Sequence, residues 1–234
     1  MSQFECSVSS IEPLTEFVNK VILKPATQIQ FQAGQYIEVV LSENDKRPFS
    51  IANSPLQNDY IELHIGAAQK DEFSSAAMQH IKDNDKVLLK GPNGNAFLQK
   101  QEHCPIILLA GGTGFSYVKS IAETLLAQNF SQPVFLYWGL RSEDAVYELE
   151  HWYQAEQQHA NFKFIPVIEN AQATWSGRTG LVIDAVLNDF TSLHDYHIYS
   201  AGPFAMVGKA RKQFVERGLQ KANMFADAFA FIDD

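Results

Sequence analysis

Near residue 100 the hydrophobic rhythm of the chain changes, and no other feature constrains its fold as much. Before that point the apolar residues come in short runs rich in Val, Ile, Phe and Tyr, at 4–8, 18–23, 36–41, 48–52, 60–65 and 86–90. Gly, Pro, Asn and Asp separate them, which is the pattern of strands and turns. One helical spacing interrupts the series, with Phe73, Ala76, Ala77, His80 and Ile81 on one face. Many short strands at such intervals predict a small antiparallel β-barrel. Past residue 100 the pattern alternates. Strands are expected at 105–110, 134–138, 162–168 and 197–200, and helices at 117–128, 144–156, 181–188 and 203–217. The run Pro105-Ile-Ile-Leu-Leu-Ala110 is apolar without interruption. A strand of that kind is buried on both faces, as in a parallel sheet covered by helices on both sides.

The fold class that follows is a two-domain chain, with an N-terminal antiparallel β-barrel and a C-terminal α/β parallel-sheet domain. The expected domains are residues 1–98 and 104–234, joined through Phe97-Leu-Gln-Lys-Gln-Glu-His103. Two domains fit a length of 234 residues. A hydrophobic content of 46% supplies a core, and a net charge of −9 disfavours nucleic acid and anionic membrane as partners. No apolar run approaches the roughly 18 residues that span a bilayer. The opening MSQFECSVSS has neither the basic nor the apolar region of a signal peptide. Its two cysteines, Cys6 and Cys104, read as buried thiols, so a reducing cytoplasm is expected and no metal site.

Three stretches carry chemistry. Ala110-Gly-Gly-Thr-Gly-Phe115 follows an expected parallel strand and opens a helix. Glycines there let a ligand approach the backbone, and the helix start offers unpaired N–H groups to a diphosphate. The alternative is a tight turn demanded by packing. Tyr199-Ser-Ala-Gly-Pro-Phe-Ala-Met206 repeats the layout, with Gly202 for close approach and Pro203 suited to a first helical turn. Arg141, just past the strand at 134–138, either grips a ribose or its phosphate or lies on the surface. The third stretch is Arg47-Pro-Phe-Ser50. It puts a cation, a rigid kink, an aromatic face and a hydroxyl within four residues. That set is either a ledge for a planar heteroaromatic ligand or a barrel strand with an arginine salt bridge.

Taken in order, Arg47-Pro-Phe-Ser50, Leu63-His-Ile-Gly66, Ala110-Gly-Gly-Thr-Gly114, Tyr199-Ser-Ala-Gly-Pro203 and Asp227-Ala-Phe-Ala-Phe231 span nearly the whole chain. Together they resemble the NAD(P)H:flavin oxidoreductases of the ferredoxin–NADP reductase superfamily. Within it they are similar to the bacterial flavin reductases, including the bioluminescence-associated ones. The resemblance implies hydride transfer from NADH or NADPH to FMN, riboflavin or FAD. It implies that Arg47, Pro48, Phe49 and Ser50 hold the flavin, with Ser50 near N5 as the catalytic hydroxyl. His64, Ile65 and Gly66 would present backbone to the ring and ribityl chain, and Phe229 and Phe231 would lie near it. Ala110, Gly111, Gly112, Thr113 and Gly114, with Arg141, Gly202, Pro203 and Phe204, would bind the nicotinamide nucleotide.

Three departures refine this expectation. Relatives that hold FAD tightly carry a glycine before the serines that open the barrel helix; here the chain reads Gln69-Lys-Asp-Glu-Phe-Ser-Ser-Ala76. A diffusible flavin substrate is therefore expected, with the reduced product released to luciferase, another monooxygenase or ferric iron. Ala201 stands where many relatives have cysteine, and no ferredoxin-type cysteine cluster is present. The alternatives are a reductase that keeps its flavin and serves a protein partner, a ferric-chelate reductase, and a non-catalytic flavin- or nucleotide-binding module.

Overall fold

The structure, a computed structural model, describes residues 2–66, 72–99 and 104–232. The first half forms β1 (Ser2–Pro13), β2 (Val18–Pro25), β3 (Tyr36–Val40), β4 (Lys46–Ser50), β5 (Ile61–Gly66), α1 (Glu72–Lys82) and β6 (Lys86–Asn93). All pairings are antiparallel, in the order β4-β3-β6-β1-β2-β5. The two outer strands approach each other just past β4, where the amide of Ala52 donates to Glu62 O at 2.8 Å. Leu23, Ile37, Val39, Ile51, Leu63 and Leu89 fill the interior, and α1 packs Met78 and Ile81 onto it.

Strand β5 shows why the two halves do not separate. Alternation puts Ile61, Leu63 and Ile65 into the barrel core. The polar positions between them, Glu62 and His64, would face water in an isolated barrel, yet both are buried. They lie against the second half.

That half comprises β7 (Ile106–Gly111), α2 (Phe115–Ala127), β8 (Val134–Leu140), α3 (Leu149–Gln158), β9 (Phe162–Ile168), β10 (Arg178–Thr179), α4 (Val182–Asp189), β11 (His197–Ala201), α5 (Phe204–Glu216) and β12 (Met224–Phe225). Its sheet is parallel, in the order β10-β9-β8-β7-β11-β12. As the unbroken apolar run predicts, β7 is buried throughout. Ile106, Leu108 and Ala110 pack toward α2 and α3, while Ile107 and Leu109 pack toward α4 and α5. The chain winds outward from β7 in both directions, so the sheet reverses between β7 and β11. Both glycine turns lie at the carboxyl ends of these two strands, where open α/β sheets place their ligands.

One expected helix is shorter than its spacing suggests. Residues 144–156 were one helical span by pattern. In the structure a single tight turn occupies Glu143–Ala145, Val146 is extended, Glu148 is left-handed at φ 54°, and α3 starts at Leu149. The cause is Tyr147, whose ring is drawn into the core against Phe115 and Trp138.

Candidate functional site

The stretch Arg47-Pro-Phe-Ser50 lies in β4, which among the described residues pairs only with β3. On an edge strand the missing N–H of Pro48 leaves no ladder bond unmade. Beyond it Asn53 is fully buried. Its Oδ1 accepts from the Glu62 amide at 2.9 Å, and its Nδ2 donates to Gln57 O at 2.7 Å. These bonds fix the turn that follows the ledge. The same turn meets α2: Ser120 Oγ donates to Asn53 O at 2.7 Å, and the hydroxyls of Ser54 and Thr124 lie 2.8 Å apart.

A cleft of about 820 Å³ opens over β4. Pro48, Phe49, Ser50 and Tyr36 line its barrel side, and Phe204, Asp227, Phe229 and Phe231 its other side. Its size and aromatic lining with few polar groups suit a planar ring ligand. Phe204 and Phe231 stack at 5.7 Å with rings 4° from parallel, and both are exposed at the mouth.

Arg47 is on β4 but not among the residues lining this cleft. Its guanidinium grips both carboxylate oxygens of Asp45, donates to Phe73 O at 3.1 Å and lies over the Phe73 ring at 4.3 Å. The hydrogen bond from Arg47 holds the Asp45 carboxyl below its ordinary pKa. Of the two readings open for this arginine, the salt bridge is the geometry present.

The two glycine turns pack on each other. A Cβ on Gly114 would stand 2.4 Å from Ala201 O, and one on Gly111 would stand 2.6 Å from Met206 Sδ. Close packing therefore accounts for these two glycines. Gly112 is different: no atom lies within 4 Å of its would-be Cβ, and its φ is 55°. Trp138 Nε1 donates to Gly112 O at 2.9 Å and so pins the loop. Thr113 stands against Gly66 at the end of β5, which brings the loop beside that barrel strand. Arg141 is exposed beyond β8, in a loop bonded from Asn170 N to Arg141 O.

The His64 side chain is closed off from solvent, so only its backbone can meet a ligand. Nε2 lies 2.8 Å from Glu62 Oε1, and Nδ1 lies 3.2 Å from the Tyr147 hydroxyl. Lys119 of α2 adds its ammonium 3.2 Å from Glu62 Oε1 and 2.6 Å from Glu123. Burial alone would raise the Glu62 pKa, but the hydrogen bond from His64 and the charge of Lys119 bring it to about 2. Burial likewise opposes the charge on Lys119, and Glu62, Glu123 and Glu148 outweigh it, leaving its pKa raised. Donor atoms of Glu62, His64 and Glu148 lie within 4.8 Å of one another. The Lys119 ammonium already supplies the positive charge at that cluster.

Sequence reasoning assigned no role to Asp227, the first residue of the C-terminal aromatic segment. It lines the cleft with Ser50. Burial raises its pKa, against hydrogen bonds from the Ala96 and Asn95 amides. A Cβ on Gly94 would come within 3.1 Å of Asp227 Oδ2, so that glycine admits the carboxyl. The buried cluster around Glu62 was also missed. Only the polar members of β5, in a chain that must cover both faces of the strand, hinted at it. The residues 69–71, on which the argument about the diphosphate turn partly rests, lie outside the described residues.

Residues 8–97 match the oxidoreductase FAD-binding domain family and residues 108–212 the oxidoreductase NAD-binding domain family. The chain is 44% identical over 234 residues to an NAD(P)H-flavin reductase of Vibrio harveyi, covering 97% of this chain and 99% of the relative. It is 42% identical over 233 residues to an NAD(P)H-flavin reductase of Aliivibrio fischeri, covering 97% and 98%. Among solved structures, the cytochrome P450 reductase GcoB of Amycolatopsis superposes with a TM-score of 0.89 at 27% identity, over 97% of this chain and 69% of that one.

Proposed function

Because the chain belongs to the family of NAD(P)H-flavin reductases, we propose that it treats flavin as a dissociable substrate, reducing it at the β4 cleft and releasing it. The reaction consumes NAD(P)H, a proton and oxidised flavin, and yields NAD(P)+ and reduced flavin; the two substrates supply the hydride chemistry. The protein's contribution is orientation. Pro48 and Phe49 form a stiff wall, and Ser50 at the end of β4 turns its hydroxyl to the ring edge where hydride arrives. Gly112, held open at positive φ, lets the nucleotide meet the loop backbone, with Gly202 and Pro203 beside it. Aligning two bound rings in this way converts a bimolecular encounter into an intramolecular step.

The observation that carries the dissociable reading is Arg47. Its guanidinium is engaged by Asp45 and the α1 start, so the ring and ribityl chain provide most of the hold on flavin. Reduced flavin then serves a separate flavin-dependent monooxygenase such as a luciferase, or ferric iron, in the cytoplasm. A second reading, retained flavin with electrons passed to a protein, draws on the likeness to the P450 reductase. Gel filtration of the purified protein followed by an absorbance spectrum decides between them. A nearly colourless protein that oxidises NADH only when FMN, riboflavin or FAD is added supports the first. Stoichiometric yellow flavin eluting with the protein supports the second.

A further inference from the structure

We propose that His64 and Tyr147 are positioning residues that tie the flavin-side strand β5 to the nucleotide loop and so fix the separation across which hydride moves. This rests on the reading that flavin lies along β4 and β5 and that nicotinamide is held at the glycine turns.

The connection can be followed atom by atom. Glu62, ionised at neutral pH, accepts a hydrogen bond from His64, which places the ring proton on Nε2. The other ring nitrogen, Nδ1, lies 3.2 Å from the Tyr147 hydroxyl, within hydrogen-bonding distance. The two rings also meet edge to face at 5.2 Å. Tyr147 in turn packs on Trp138 at 4.8 Å and on Phe115 at 5.6 Å. Trp138 bonds the carbonyl of Gly112, and Phe115 is the first residue of α2, directly after Gly114. Both ends of the loop thus rest on neighbours of one tyrosine, while the other side of that tyrosine grips the strand that ends at Gly66.

The barrel does not need this link to form its core, and in the second half the Tyr147 ring belongs to the core, so the link proper is its hydroxyl. The barrel interior uses Ile61, Leu63 and Ile65 of β5, not His64. The backbone is moreover strained in order to make the link: Glu148 is left-handed at φ 54°, next to Tyr147, where the sequence pattern would have continued a helix. Such strain in a residue other than glycine persists only where the surroundings impose it. A shift of about 1 Å between reacting groups can cost as much as a hundredfold in rate. A rigid cross-link next to the reacting rings is placed to prevent that shift.

The test is anaerobic stopped-flow reduction of FMN by NADH at saturating concentrations of both, with the KM for each and the melting temperature. Tyr147→Phe keeps the ring and removes only the hydroxyl. We expect its reduction rate to fall about fivefold to tenfold, with both KM values within about twofold of wild type. His64→Leu should give a similar loss, and the double variant should be no slower than His64→Leu alone, since both remove one link. His64→Asn, which keeps a polar atom near the Nδ1 position, should recover part of the rate. An unchanged rate in Tyr147→Phe, or losses that multiply in the double variant, overturns the proposal. So does a rate loss matched by equal rises in KM and a fallen melting temperature, since that marks a packing role. A wild type that does not reduce added flavin overturns the underlying reading and the link with it. A wild type that reduces flavin beside an unaffected Tyr147→Phe overturns the link alone.

Discussion

The Lys119 ammonium lies 3.2 Å from Glu62 Oε1, joining α2 of the second half to β5 of the barrel, and the two side chains are 6% and 9% exposed. A buried pair of this kind adds little when intact but leaves an uncompensated charge when one partner is removed. Lys119→Met should therefore destabilise the protein by about 3–5 kcal/mol. Urea unfolding at pH 7 measures it; a loss below about 1 kcal/mol would mean that water reaches Glu62.

The same pair sets an acid limit. The Glu62 pKa falls from 4.5 to about 2 on folding. A carboxyl depressed in the folded state contributes stability that is complete above its unfolded value and disappears as pH falls through the folded one. Stability should hold above about pH 5 and decline between 4.5 and 2. The Glu62→Gln variant should show a shallower decline across that window in melting temperature against pH. Parallel curves for the two proteins would assign the acid sensitivity to other groups.

Gly114 and Gly112 are two residues apart and should respond differently to alanine. At Gly114 the new Cβ meets backbone at 2.4 Å, which cannot yield without parting the turns at 111–114 and 201–203. At Gly112 the space is open and only the positive φ opposes the substitution, at about 1 kcal/mol. Gly114→Ala should lower the melting temperature clearly and raise the KM for NAD(P)H at least tenfold. Gly112→Ala should fold almost normally. Its KM rises only if nucleotide touches this backbone, so an unchanged KM would remove Gly112 from the binding surface.

Much of this arrangement could be read from the sequence, because period-two and helical spacing are local signals. The apolar run at 105–110 announced a buried parallel strand, and β7 is one. What was hidden depends on contacts between distant residues. The break before α3 follows from where Tyr147 finds its partners, and no spacing within 144–156 encodes that. Strand β12 has two residues, too few for any periodicity. Arg47 left two readings open because a guanidinium suits a phosphate and a carboxylate alike, and Asp45, two residues away, takes it. The glycine turns were legible as a place of close approach. The sequence left ligand and packing both open there, and at Gly114 the approaching group is the chain's own backbone.

Ser50 lines the cleft at the end of β4, next to Phe49. If its hydroxyl supports the ring as hydride arrives, removing it costs one hydrogen bond made chiefly in the transition state. At about 1.4 kcal/mol this is roughly a tenfold fall in kcat. Ser50→Ala should show that fall with saturating flavin, while the flavin KM changes by less than about threefold. A KM effect larger than the kcat effect would recast Ser50 as a binding group alone.

Asp227 brings a carboxyl into the same cleft, with its pKa raised chiefly by burial. Raising the folded pKa of an acid favours its neutral form in the folded state. The stability associated with it is present below the unfolded value, near 3.8, and is lost as pH rises through the folded one. Asp227→Asn abolishes that titration while keeping an oxygen for the Asn95 or Ala96 amide. The variant should lose less stability than wild type as pH rises above 3.8, the reverse of the trend at Glu62. Tyr36, whose pKa is raised by burial and then by the charge of Asp227, offers a second readout. Its phenolate should form at a lower pH in Asp227→Asn, seen as absorbance near the tyrosinate band in a background lacking the other exposed tyrosines. An unshifted Tyr36 titration would mean that Asp227 and Tyr36 do not share the cleft as charged neighbours.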